Sequence, residues 1–182
     1  MPQFSLYRHV VKKATELGLE MRSLGEAKLD GTEGELAPES FTARVESMRV
    51  WCRVAEKLVL DRRLSDAKVH AGFERMNRLE PVLPRYRRMA SLVSELVVYG
   101  EPDWEPDVPG IRTVALGNEP LALEWFLVVS ARGWKAAIVA EDLDGFGGGT
   151  RMAERRFRGF ATHHPALVAA ALEGLETRLA RR

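Results

Sequence analysis

This sequence of 182 residues contains only one cysteine and four histidines, so it has few side chains that could form disulfides or bind metal ions. A single Cys52 excludes an internal disulfide and a cysteine metal cluster, and it suits a reducing compartment. The one histidine pair, His163-His164, occupies adjacent positions, whose side chains point to opposite faces of an extended segment. We therefore expect no metal site, and we place this pair at the surface or at the start of a helix.

The sequence also lacks a dominant charge of one sign, because its formal net charge is only +1. A chain with this balance creates no global field that would attract nucleic acid or an anionic membrane. No apolar run reaches the ~18 residues of a membrane span, and residues 1–4 do not resemble a secretion leader. We therefore expect a cytoplasmic protein that forms one domain over residues 1–182 and binds neither nucleic acid nor membrane.

Recognisable catalytic and phosphate-binding motifs are missing as well. The glycine loop Gly145-Phe-Gly-Gly-Gly149 has Thr150 where a dinucleotide fingerprint needs glycine, so it predicts a flexible hairpin tip. The arginine groups at 85–88 and 155–158 have acidic residues nearby, which favours solvated faces with local ion pairs. Spacing alone therefore indicates no reaction.

Two apolar runs are the strongest pattern that the sequence does contain. Residues 120–129 and 134–140 are rich in β-branched and aromatic residues, and a short link containing glycine joins them. This pattern predicts two neighbouring strands of a hairpin. Because neither run alternates cleanly between apolar and polar residues, we expect the centre of a sheet that is covered on both faces, with Trp125 buried in it.

Apolar residues that recur at spacings of three and four predict four helices. These helices cover residues 5–17, 41–62 and 84–95, and a last helix opens at Pro165. Ser5 and Ser40 are the expected N-caps of the first two helices, and proline suits the first turn of the other two. The second helix has a broad apolar face that begins at Phe41.

Short β-prone segments predict further strands at 69–73, 96–99, 113–116 and 156–162. Residues 18–38 lose all periodicity and predict a loop or a loosely packed connection. Helices mixed with several strands in succession favour an α+β fold over a doubly wound one. We expect a central mixed or mostly antiparallel sheet of about five to six strands, flanked by helices.

Glu124 is the most unusual residue of the central run. On an alternating strand it shares a face with Phe126 and Val128, so its carboxylate is expected to be buried. A buried carboxylate must be paired, hydrogen-bonded or protonated. We expect an arginine partner, and the candidates are Arg85, Arg156 and Arg158. A catalytic acid is the alternative, although the sequence places no second carboxylate, nucleophile or base beside it.

Several segments occur together in an order that resembles a known family. They are Val69-His-Ala-Gly-Phe-Glu-Arg75, Pro84-Arg-Tyr-Arg-Arg88, Val97-Val-Tyr-Gly-Glu-Pro-Asp103, Val114-Ala-Leu116, Pro120-Leu-Ala-Leu-Glu-Trp-Phe126, and Arg156-Phe-Arg-Gly-Phe160 with His164-Pro165. The pattern resembles the DICT domain, a sensory domain of diguanylate cyclases and two-component systems. One departure is Glu74, since the family usually has glutamine after the phenylalanine.

The resemblance implies a non-catalytic domain for signal transduction in bacterial-type regulators. It would bind a small ligand or a partner signalling protein, such as a kinase, a cyclase or a transcription regulator. The alternatives are a protein-interaction or oligomerisation module without a ligand, and an enzyme built around Glu124. The sequence identifies no cofactor. We also expect a homodimer formed through the helix at 41–62 or the C-terminal helix.

A ligand site is expected where aromatic residues meet irregular backbone and arginine. The seven candidates for ligand binding are Phe73, Arg75, Arg85, Tyr86, Tyr99, Glu124 and Trp125. Aromatic walls would supply apolar contact, and guanidinium groups would orient an anionic or carbonyl-bearing ligand. The alternative is that these aromatic side chains are only part of the core.

Overall fold

The computed structural model describes residues 4–23, 38–145 and 151–180. The helices are α1 (Leu6–Glu16), α2 (Val45–Asp61), α3 (Leu83–Ala90) and α4 (Pro165–Ala180), and 3-10 turns cover Met76–Val82, Pro120–Leu123 and Met152–Glu154. The strands are β1 (Arg22–Ser23), β2 (Glu39–Arg44), β3 (Lys68–Arg75), β4 (Glu95–Glu101), β5 (Arg112–Ala115), β6 (Glu124–Ser130), β7 (Lys135–Asp142) and β8 (Arg156–Thr162).

The described residues form one mixed sheet of eight strands in the order β1-β2-β8-β7-β6-β3-β4-β5. Pairing is antiparallel from β2 to β3 through β8, β7 and β6, and it is parallel at both edges, between β1 and β2 and from β3 to β5. The predicted α+β fold is confirmed, with more strands than expected. The predicted hairpin is confirmed at the centre of the sheet as β6 and β7.

Strand alternation separates the core into two layers, one on each face of the sheet. On β6, Leu127 belongs to the layer that also contains Met48 of α2 and Met89 of α3. The next residue back, Phe126, belongs to the opposite layer with Leu6 of α1. Both faces of the central strands are therefore covered, as the two apolar runs predicted.

The start of the second helix differs from the prediction. Phe41 lies on β2, where it pairs with Gly159 of β8, and the helix begins only at Val45. Residues 41–44 alternate between buried and exposed, which is the period of a strand. Because Phe41 and Val45 are also four residues apart, helical spacing alone predicts a start one turn too early. Ser40 consequently lies on the strand and caps no helix.

Other boundaries also differ, and two predicted loops are only partly observed. The third helix ends at Ala90, and the strand expected from residue 121 begins at Glu124 after a 3-10 turn. Within the predicted loop at 18–38, Arg22–Ser23 forms β1, and residues 24–37 lie outside the described residues. Most of the glycine loop, residues 146–150, also lies outside them. The assignment of residues 1–182 to one domain stays a prediction.

Among the residues that the structure describes, no helix has both the length and the apolar character needed to cross a membrane.

We predict that Gly159→Ala destabilises the fold by about 1–3 kcal/mol, the usual cost of overpacking. A Cβ atom at Gly159 would lie 2.4 Å from the backbone oxygen of Val139 and 2.6 Å from Cβ of Ala140, so the central pairing of β7 and β8 would have to shift. The measurement is unfolding in denaturant. Gly133→Ala is the control, because a Cβ atom there meets nothing within 4 Å. Equal stability of the two variants would contradict the close approach.

Candidate functional site

A cavity of about 340 Å³ lies between α2, the start of α3 and one face of the sheet. We call it the helix-side cavity. α2 contributes Cys52 and Glu56, α3 contributes Arg85 and Tyr86, and the sheet contributes Phe73 and Trp125, among others. Four of the seven residues predicted to bind a ligand therefore lie together here: Phe73, Arg85, Tyr86 and Trp125.

The aromatic residues of this cavity are held by edge-to-face contacts. The rings of Phe73 and Tyr86 are 5.3 Å apart at an interplanar angle of 74°. The ring of Trp125 meets Phe157 at 5.5 Å and 89°. Trp125 is only partly buried, although we expected it to be fully buried, because one side of its ring lines the cavity and is not covered by other side chains. These contacts fix the shape of the apolar wall.

A buried carboxylate, arginine and tyrosine form the polar end of the helix-side cavity. Glu56 accepts a hydrogen bond of 2.8 Å from the hydroxyl of Tyr86, and it forms an ion pair with Arg85. Burial raises the pKa of Glu56 above its ordinary value, although Arg85 and Tyr86 both favour the charged form. Sequence reasoning missed Glu56, which could have been noticed as a charged residue on the apolar side of α2, four residues after Cys52.

Glu74 lies beside this cavity in an unusual backbone conformation. Its φ is +56°, at a shift of register in the pairing of β3 with β4. Its carboxylate is buried and binds the guanidinium of Arg155 at 2.6 and 3.0 Å, and it also forms an ion pair with Arg78. A non-glycine residue at positive φ is strained, and two buried charge pairs hold it there. Sequence reasoning did not identify Glu74 or Arg155 as part of a site.

A second concave surface lies beside the N-terminus of α1. This α1-side cleft has a volume of about 910 Å³, and Ser5, Arg75, Glu124 and Glu74 are among the residues that line it. Glu74 therefore contributes to both cavities. Two further predicted site residues, Arg75 and Glu124, lie in this cleft and not in the helix-side cavity.

Glu124 is buried as predicted, but the predicted arginine partner is wrong. Its carboxylate accepts hydrogen bonds from the Ser5 hydroxyl at 2.5 Å and from the backbone amides of Leu6 and Tyr7 at 2.9 and 3.2 Å. The first turn of a helix leaves backbone N–H groups without partners and carries a partial positive charge. The N-terminus of α1 thus takes the place of a cation. Ser5 itself caps α1, as predicted, by accepting from the amide of Arg8 at 3.1 Å.

The three arginines proposed as partners of Glu124 bind other carboxylates. Arg85 binds Glu56, Arg156 binds Asp144, and Arg158 binds Glu141.

The pKa of Glu124 reflects this arrangement. The net pKa is raised from 4.5 to about 7. Burial is the main cause of the increase and the nearby Glu141 adds to it, whereas the hydrogen bonds from Ser5, Tyr7 and Leu6 lower the pKa. The carboxyl group therefore changes its charge close to neutral pH.

Tyr99 lines neither of these two cavities. It is fully buried on the α1 and α4 side of the sheet, where its hydroxyl lies 2.9 Å from Nδ1 of His70. The register explains this position, because Tyr99 pairs with Gly72 and so faces away from Phe73, the next residue of β3. The seven candidates are thus divided among two cavities and the core, and their role in ligand binding stays a prediction.

We predict that Glu124 makes the stability of the fold depend on pH near neutrality. Since its pKa is about 7 in the folded protein and 4.5 ordinarily, the folded state takes up the proton first. Stability should therefore rise as the pH falls from about 7 toward 4.5, by up to about 3 kcal/mol. In Glu124→Gln this increase should be absent. The measurement is the free energy of unfolding of both proteins between about pH 8 and pH 5.

The difference between wild type and variant is the informative quantity in this experiment. Subtraction removes the contribution of His70, whose pKa is lowered by burial and which acts in the opposite direction. Glu80→Gln, which removes an exposed carboxylate, is the control and should follow the wild-type curve. Parallel curves for wild type and Glu124→Gln would show that Glu124 does not titrate in this range.

The sequence matches the model of one protein family. Residues 27–143, more than half of the chain, match the DICT family, whose description is a sensory domain in diguanylate cyclases and two-component systems. Neither the comparison with curated proteins nor the comparison with solved structures found a match. The matched range contains the lining of the helix-side cavity except Met152, and it ends before the resembling motifs at 156–165. The chain belongs to the DICT family of sensory domains.

Proposed function

We propose that the protein senses a small molecule that binds in the helix-side cavity. The observation that carries this proposal is the cavity itself, which has an aromatic wall, a few converging polar groups and a volume of about 340 Å³. Ligand sites in proteins commonly have volumes of ~300–1,000 Å³ and this mixture of side chains. Almost all of the lining also lies within the residues that match a family of sensory domains.

The position of α2 suggests how binding would become a signal. Cys52 and Glu56 of α2 form one wall of the cavity. On the other side of the same helix, Val50 and Val54 are exposed by 50% and 54%. A ligand that presses against α2 would change the position of this exposed apolar ridge. A partner signalling protein (a kinase, a cyclase or a transcription regulator) would bind there and respond to the change.

The exposed ridge on α2 also favours a second candidate function, a protein-interaction module that binds no ligand. Adjacent apolar side chains on a surface are typical of protein contacts, and a homodimer through α2 is one form of this function. We propose that either function is carried out in the cytoplasm, since the single Cys52 suits a reducing compartment.

We propose no catalytic role for Glu124. Its two oxygens bind the Ser5 hydroxyl and two amides of α1, and 2% of the residue is exposed. Through these contacts Glu124 attaches the N-terminus of α1 to the sheet, which is a structural role. The Ser5 hydroxyl is occupied as well, because it donates to Glu124 and accepts from the amide of Arg8.

The test is a metabolite screen by thermal shift and native mass spectrometry. A ligand at about 100 times its dissociation constant adds about 2.7 kcal/mol, which should raise the melting temperature by roughly 5–10 °C. Val82→Phe places a larger side chain in the cavity and should abolish this increase. Val54→Phe changes only the exposed ridge, so the ligand should raise the melting temperature of this variant as much as that of the wild type.

Two outcomes would contradict ligand sensing in this cavity. A ligand that stabilises Val82→Phe as much as the wild type binds elsewhere on the protein. If no metabolite binds, and Val54→Asp prevents association with a second copy or another protein, the interaction module replaces the sensing function.

A further inference from the structure

Two exposed arginines of α2 line the helix-side cavity. Arg49 and Arg53 lie one turn apart on α2, so their side chains leave the same face of the helix. Both are exposed, and neither forms an ion pair in the described ranges 4–23, 38–145 and 151–180. Two guanidinium groups therefore meet solvent at the entrance to an aromatic cavity.

The other charged residues of the cavity neutralise one another. Arg85 forms an ion pair with Glu56, and Arg78 forms one with Glu74. The lining holds four arginines and these two glutamates, so four positive charges less two negative charges leave an excess of two. This excess lies on the exposed side of the cavity, because Arg49 and Arg53 form no ion pair with any residue that the structure describes, although Arg53 is near enough to Glu56 to favour the charged form of that carboxylate.

The pKa of Arg78 is consistent with a positive potential in this region. The pKa of this guanidinium is lowered to about 10, first by burial and then by the nearby cations Arg155 and Arg49. Asp103 acts in the opposite direction but does not compensate for them. A cationic ligand would be repelled from such a site, whereas an anionic one would relieve the repulsion.

We infer that the ligand of the helix-side cavity is a small organic acid with a flat or apolar body. Its carboxylate or phosphate binds the guanidinium groups of Arg49 and Arg53, and its body lies against Phe73 and Trp125. The planar fork of arginine matches the oxygen atoms of both kinds of anion, and the aromatic rings supply apolar contact. This inference rests on the proposed function, because it assigns the chemical class of the ligand to the same cavity.

The experiment compares acids with neutral molecules of the same shape. The probes are phenylacetate and indole-3-acetate, each paired with its primary amide, together with phenyl phosphate. Affinities are measured by calorimetry at low salt, and chemical shifts of the Trp125 indole N–H locate the binding. Each acid should bind at least about tenfold more tightly than its amide, a difference of about 1.4 kcal/mol. The difference should shrink as salt is added.

Variants assign the anion site. Arg49→Gln and Arg53→Gln should each reduce the affinity of the acids by about tenfold and leave the affinity of the amides unchanged. Arg87→Gln is the matched control, since Arg87 is an exposed arginine of α3 that does not line the cavity. Tighter binding of phenyl phosphate than of the carboxylates would identify a phosphate ester as the natural class of ligand.

Failure of this inference is distinct from failure of the proposed function. Amides that shift the Trp125 signal as strongly as the acids, or a neutral metabolite that loses its effect in Val82→Phe, would overturn the acidic ligand but keep the sensing cavity. If the acids bind more tightly than the amides but Val82→Phe leaves their affinity unchanged, both proposals are wrong about the cavity. Absence of binding by every acid overturns the inference.

Discussion

The ion pairs of Arg155 with two buried carboxylates connect two strands of the sheet beside both concave surfaces. The guanidinium binds Glu74 at the end of β3 and Asp142 at the end of β7, and these two strands are separated in the sheet by β6. Arg155 therefore links β3 to β7 across the start of β6, where Glu124 and Trp125 lie. Glu74 lines both cavities, so this ion pair lies between them. Loss of one member of such a buried pair typically costs about 3–5 kcal/mol.

Three buried glutamates are satisfied in three different ways. Glu56 has an arginine and a tyrosine, Glu74 has two arginines, and Glu124 has only a hydroxyl and the amides at the start of a helix. A full positive charge stabilises a buried carboxylate more than a helix N-terminus does. Burial is the main cause of the rise in the pKa of Glu124 to about 7, and its three hydrogen bonds offset this rise only in part.

The sequence was sufficient to predict local features but not contacts between distant segments. The paired runs of β6 and β7, the N-cap at Ser5 and the burial of Glu124 follow from neighbouring residues. The partner of Glu124 could not be predicted, because backbone amides carry no residue type and these lie 117 and 118 positions away. Tyr99 and Phe73 lie on opposite faces of the sheet, because Tyr99 pairs with Gly72 in the parallel register of β3 and β4. The sequence does not reveal this register. Arg49 and Arg53 lie outside the apolar stripe of α2, and nothing in their spacing shows that they border a cavity.

The attachment of α1 to Glu124 also determines when this helix can join the fold. α1 is translated before the other described helices, but the Glu124 carboxylate that binds its N-terminus is 119 residues later than Ser5, and its neighbour α4 comes later still. A short isolated helix is marginal in water, so α1 gains little stability before these partners exist. Of the four described helices, α1 is thus synthesised first but docks late, and its apolar face stays exposed until β6 and α4 have been made.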